Sequence, residues 1–123
     1  MTTLNEGKHA GGFLVWEVLR DYTRETVTIV SGAGKLEPGT VLGKITTGGK
    51  YTVLTPGASN GSQNAAGILW AGVDATEADA PGVVILRGPA IVNRHEIIWP
   101  EGATEAQITT ATTALAALGI ILR

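Results

Sequence analysis

Glycine–lysine pairs, one histidine–glutamate pair and one acidic loop are the places where this chain could hold a ligand or run a reaction. A phosphate-cradling loop needs G-x-x-x-x-G-K-[ST], because backbone amides wrap the phosphates and the final hydroxyl meets the magnesium ion. Gly34-Lys35 is followed by Leu36 and has Ile29 where the first glycine belongs. Gly43-Lys44 and Gly49-Lys50 are followed by Ile45 and Tyr51. Gly32-Ala33-Gly34 opens a dinucleotide fingerprint, but Glu37 stands at the third glycine. Both kinds of cluster read as turns. His95-Glu96 begins a zinc-protease pattern, with Trp99 where the second histidine is required. His9 and His95 are the only histidines and the chain has no cysteine, so neither an imidazole nor a thiolate metal site is expected. Asp74, Glu77 and Asp79 resemble calcium ligands in spacing. Calcium takes about six to eight oxygens in a fixed order, and Ala75 and Ala78 fill the gaps. That loop reads as a solvated turn. Gly57-Ala58-Ser59-Asn60-Gly61 has the letters of a G-x-S-x-G elbow, but it falls in a polar loop and not between a strand and a helix, and the hydroxyls and amides of residues 59–64 have no base nearby in sequence. The inventory is non-catalytic, with no cofactor and no metal expected.

The elements that would have to position any site are short. With 123 residues the chain has the length of one domain, and 44% hydrophobic against 16% charged residues is too apolar for disorder. A net charge of −2, with lysines and arginines scattered, argues against a nucleic-acid partner. No run approaches the ~18 apolar residues of a membrane span, and Met1 to Ala10 lacks the apolar centre of a secretory signal. Seventeen glycines and sixteen threonines, with valine and isoleucine common, favour strands joined by tight turns.

Along the chain, residues 1–19 read as a flexible or partner-ordered arm and residues 20–123 as the domain. Asp21 to Glu25 is charged and expected to be exposed. Thr26-Val27-Thr28-Ile29-Val30 alternates with the period of a half-buried strand. Glu37-Pro38-Gly39-Thr40 has the signature of a type II turn. Strands are expected at 40–45, 51–54, 68–73, 83–86, 90–92 and 95–99, with Pro56-Gly57 and Pro81-Gly82 as further turns. The loop 58–64 has no apolar anchor and is expected to be the loosest internal segment. The period then changes. Thr104 with Gln107 forms a capping-box pattern, and Ile108, Ala111, Leu115 and Leu118 fall on one stripe of a helix over about 104–118. Gly119 fits the position after the last turn, and Ile120-Ile121-Leu122 returns as a strand. The expected fold is a β-rich α+β domain of short strands, sheet or barrel-like, with one C-terminal helix.

Four segments in order carry a resemblance: Phe13-Leu14-Val15-Trp16-Glu17 leading to Tyr22 to Ile29, Gly34 to Ile45, Ala66-Gly67-Ile68-Leu69, and Ile98-Trp99-Pro100-Glu101 before the helix. Together they resemble the head decoration proteins of tailed bacteriophages over residues 12 to 123. The resemblance implies a β-rich fold with one helix and no enzymatic activity. It further implies homotrimers seated at three-fold and quasi-three-fold positions outside the expanded capsid, in contact with the major capsid protein. The location implied is the outer surface of the virion, after synthesis in the host cytoplasm. The phage lambda member has a longer polar N-terminal region rich in Pro, Ala and Thr, whereas Phe13 to Leu19 here is apolar.

Such a protein needs surfaces rather than a pocket, and surfaces of this kind favour aromatic and aliphatic anchors. Phe13, Leu14, Val15 and Trp16 are the expected contact residues, adding as a strand to an edge of the capsid protein. The same signature fits an ordinary strand of the domain itself. Of the three tryptophans, Trp70 is expected in the core and Trp16 at the interface. The competing reading is a small ligand- or carbohydrate-binding β module, which would want a concave patch with exposed aromatics.

Overall fold

The alternating and apolar runs are realised as ten short strands in a computed structural model that describes residues 9–123. Residues 1–8, the first part of the expected arm, lie outside the described residues. In chain order the elements are β1 (Leu14–Glu17), the one-turn helix α1 (Arg20–Thr23), β2 (Arg24–Ile29), β3 (Gly34–Leu36), β4 (Val41–Lys44) and β5 (Tyr51–Val53). There follow β6 (Ala65–Leu69), β7 (Val73–Ala75), β8 (Ala80–Ile85), β9 (Ala90–Val92), helix α2 (Glu105–Ala117) and β10 (Ile120–Leu122). The β-rich α+β class with one long C-terminal helix is therefore the observed one.

Five strands close a barrel in the order β2-β5-β4-β6-β8. Closure pairs the edges that an open sheet would leave exposed. Successive residues of a strand face opposite sides, and here both sides of the wall are buried. Leu42, Leu69 and Val84 join Ile29 and Tyr51 in one core cluster. Their neighbours Val41, Ile68 and Ile85 join Phe13, Leu54, Val92, Leu115 and Ile120 in the other. That is why these segments read as continuous apolar runs rather than alternating ones.

Helix α2 covers the second cluster with Ala111 and Leu115. The Thr104 hydroxyl accepts from the Gln107 amide, and the Gln107 side chain accepts from the Thr104 amide, so the capping box is complete. Gly119 follows the helix with φ +89°, a conformation that side chains other than glycine rarely adopt. The remaining strands form a three-stranded sheet in the order β1-β9-β10 and the antiparallel pair β3-β7. The turn at Glu37–Thr40 forms as expected, with Gly39 at φ +95° and the Thr40 amide donating to the Glu37 carbonyl over 3.3 Å.

Four local expectations are corrected. Pro81 and Gly82 are not a turn but lie inside β8, opposite Thr28 and Val27 of β2. A proline lacks the ladder donor, and the second neighbour β6 joins β8 only at Val84 and Ile85, so the missing bond at Pro81 is tolerated. A Cβ on Gly82 would meet Ile29 and Val73 at 3.0 and 3.2 Å, so close approach of β2 and β7 accounts for the glycine. The expected strand 95–99 is a 3-10 turn at Arg94–Glu96, because the Asn93 side chain caps the His95 amide. Only Ile98 retains a bridge, to Thr40. The run 68–73 divides, since β6 ends at Leu69 and Val73 opens β7. Within the charged segment 21–25, Thr23 is fully buried.

The 58–64 loop carries hydrogen bonds of its own. Asn60 Oδ1 accepts from both the amide and the hydroxyl of Ser62, and Gln63 Oε1 accepts from the Gly61 amide. The Ser62 carbonyl accepts from Thr55, and Ser62 itself is buried under Gly43, where no side chain would fit.

Candidate functional site

Strand β1 brings the expected contact residues to very different places. Phe13, just before it, is 2% exposed and edge-on to the Trp70 ring at 6.2 Å. Leu14 packs partly on the same core. Val15 and Trp16 are 63% and 50% exposed. In a regular strand, residues 14 and 16 would share a face. Here the register shifts between them: Leu14 pairs with Val92, but Trp16 pairs with Ile91. The extra residue in β1 is a bulge, and it turns Trp16 outward while Leu14 stays in.

Trp16 then begins a row. Ile91 pairs with Trp16 on one side and with Ile121 of β10 on the other. Directly paired residues sit on the same side of a sheet, so the three side chains cross the outer face of β1-β9-β10. At the end of the sheet the Val18 amide donates to Pro89 and the Gly88 amide to Leu118. This places two more exposed apolar residues beside the cis Gly88-Pro89 peptide. Leu19 and Tyr22 continue the surface on the α1 side. Among the described residues, every large hydrophobic residue that is mainly exposed belongs to β1, the α1 segment that follows it, or the Leu118–Ile121 end of the chain.

The back of β1 is held by charge. The Arg24 guanidinium binds both carboxylate oxygens of Glu17, and the Thr23 hydroxyl donates to Glu17 at 2.5 Å. The guanidinium carbon of Arg24 lies 3.4 Å from the centre of the Trp70 ring, within the range for a cation over an aromatic face. At the same residue, the Gly11 amide donates to the Trp70 backbone carbonyl at 2.9 Å, and a Cβ at Gly11 would overlap the ring. Trp70 is thus partly buried, as a post between the start and the end of β1, rather than a plain core residue. The Arg24 stack has no local sequence signature, because Arg24 and Trp70 lie far apart in the chain.

A family model described as bacteriophage lambda head decoration protein D matches residues 3–120, nearly the whole chain. The chain belongs to this family. No curated protein matches its sequence.

A decoration protein is a structural component of the phage head. An open groove of about 340 Å³ between α2 and the β5–β6 connection is lined by Leu54, Pro56, Gln63, Ala106, Thr110 and Ala114, none of them titratable. In the acidic loop of this decoration protein, Asp74 accepts from the amide and hydroxyl of Thr76. Asp79 accepts from Lys50 at 2.5 Å and from the Ser31 amide. Both carboxyls are held below their ordinary range chiefly by these hydrogen bonds. Among the described residues, no three His, Asp or Glu side chains gather as a metal site.

Proposed function

We propose that this decoration protein binds the outer surface of the expanded phage head as a homotrimer at three-fold and quasi-three-fold positions. There it contacts the major capsid protein and holds the shell against the pressure of packaged DNA. It is made in the host cytoplasm, acts without cofactor or catalysis, and works by mass action: a ligand that binds the expanded shell and not the compact precursor stabilises the expanded state. Three modest contacts per trimer multiply through effective concentration.

The observation that carries this reading is the exposure of Val15 and Trp16 on a strand whose second edge meets no other strand among the described residues. Contiguous exposed apolar surface on a small soluble domain marks a binding face. Phe13 and Leu14 serve by seating β1, and Val15 and Trp16 meet the capsid protein. The open edge of β1 accepts a capsid strand by main-chain hydrogen bonding.

The test is co-sedimentation with purified heads that lack decoration. Wild type is expected to saturate expanded heads and to leave compact precursors bare. Trp16→Ala is expected to fold normally and to lose binding by about tenfold or more, the scale of a truncated aromatic anchor. Equal binding to both shells, or full binding by Trp16→Ala, would contradict the assignment.

A further inference from the structure

We propose that Glu17, Arg24 and Trp70 form a clasp that keeps β1 ordered before any partner arrives. The inference rests on the reading of β1 as the head-contact strand, and it adds the positioning residues that make that strand ready. None of the three is itself a contact residue.

Strand β1 has little of its own to hold it in place. It is four residues long, is interrupted by a bulge, and pairs with one neighbour that is itself only three residues long. Val15, Trp16, Val18 and Leu19 leave about half or more of their surface exposed, so hydrophobic burial holds this segment down less than it holds a barrel strand. The barrel closes without it. A short edge strand of this kind is expected to fray unless something else ties it.

Two ties are present, and both run to one indole. Before β1, Gly11 lies against Trp70 in a backbone conformation of φ +67°, and Phe13 abuts the same ring. At its far end, Glu17 takes a two-pronged bond from Arg24, whose flat guanidinium stacks on Trp70. Side-chain exposures of 10% for Glu17 and 20% for Arg24 shield this pair from solvent. Paired bonds between a guanidinium and a carboxylate are among the stronger and more geometrically exacting in proteins. The other groups that face Glu17 are the Thr23 hydroxyl and the more distant Arg20 charge. The clasp therefore fixes both ends of the strand and leaves its apolar face and its outer edge free.

Pre-ordering has a measurable consequence. If β1 is docked for only a fraction of the time, affinity for the head falls by that fraction. Hydrogen exchange read by mass spectrometry on the full chain measures the fraction directly. In Glu17→Gln, and independently in Gly11→Ala, the amides of residues 14–18 are expected to exchange about tenfold or more faster, the scale of one lost charge-assisted bond. Barrel amides in β4, β6 and β8 are expected to keep their protection. Gly11→Ala touches no charge, so agreement between the two variants separates docking from electrostatics.

On expanded heads both variants should lose affinity in proportion to the undocked fraction, whereas Trp16→Ala should lose affinity with exchange unchanged. Unaltered exchange at 14–18 overturns the clasp, and so does loss of barrel protection in step with β1. Full affinity in a variant whose β1 exchanges fast, while Trp16→Ala still loses affinity, also overturns it. Normal binding by Trp16→Ala with the exchange results intact sinks the head-contact reading and leaves the clasp standing.

Discussion

Glu17 is pulled in opposite directions. Burial, the largest single influence, favours its neutral form. The hydrogen bonds from Arg24 and Thr23 and the charges of Arg24 and Arg20 together outweigh burial, so the carboxyl is held below its ordinary value of 4.5. A carboxyl whose proton affinity is depressed on folding contributes stability that is present above its unfolded pKa and lost as pH falls through its folded one. Thermal melts between about pH 6 and pH 3 should therefore fall more steeply for wild type than for Glu17→Gln. Coincident slopes would show that the clasp carries no such linkage. Little of this was legible beforehand. Phe13-Leu14-Val15-Trp16 stood out as apolar, but the pattern does not say which side chains turn inward, because a one-residue bulge decides that. Trp70 was legible as buried from its apolar run. Its role as a stacking post was not, since hydropathy reports burial and not which cation lies on the ring.

The capped helix is the element that the chain announces most clearly. Thr104 and Gln107 satisfy each other's orphan amides at its start, and removing such a cap by Thr104→Ala is expected to cost about 1 kcal/mol in urea unfolding. A change below a few tenths would mean that packing of Ala111 and Leu115 holds the helix without it. Thr110, Thr112 and Thr113 each bond the carbonyl four residues back, so side chains that favour strands are absorbed without leaving a polar group unmet. Caps and turns such as Glu37–Thr40 are legible because their chemistry is local. The β3-β7 pair, the strand through Pro81-Gly82 and the 3-10 turn at Arg94–Glu96 are not. The first two depend on partners elsewhere in the chain: β7 for β3 and, within β8, Val73 and Ile29 for the glycine and β2 alone for the proline. The 3-10 turn replaces a strand through the short-range Asn93 cap, which an apolar reading of 95–99 overlooks.

At the scale of the molecule, the two core clusters share their walls. β4 sends Val41 into one and Leu42 into the other, β6 does so with Ile68 and Leu69, and β8 with Ile85 and Val84. Neither half can loosen without removing the wall of the other. Ile68→Ala and Leu69→Ala should each destabilise by about 2–5 kcal/mol and still melt in one transition, observed alike by calorimetry and by tryptophan fluorescence. Two separated transitions in either variant would show that the clusters unfold independently. The β1-β9-β10 sheet closes the structure in a further sense. Leu14 and Leu122 both pair with Val92, so the first strand begins and the last strand ends on either side of one residue, roughly 10 Å apart at two strand spacings. A short peptide from the end of β10 to the segment that precedes β1, with Gly11 and Phe13 retained and the chain reopened in the exposed turn around Glu77, gives a circular permutant that keeps every strand pairing. Its new ends leave from the acidic loop instead of from the sheet that carries Trp16, so cargo could be attached there without crowding the apolar face.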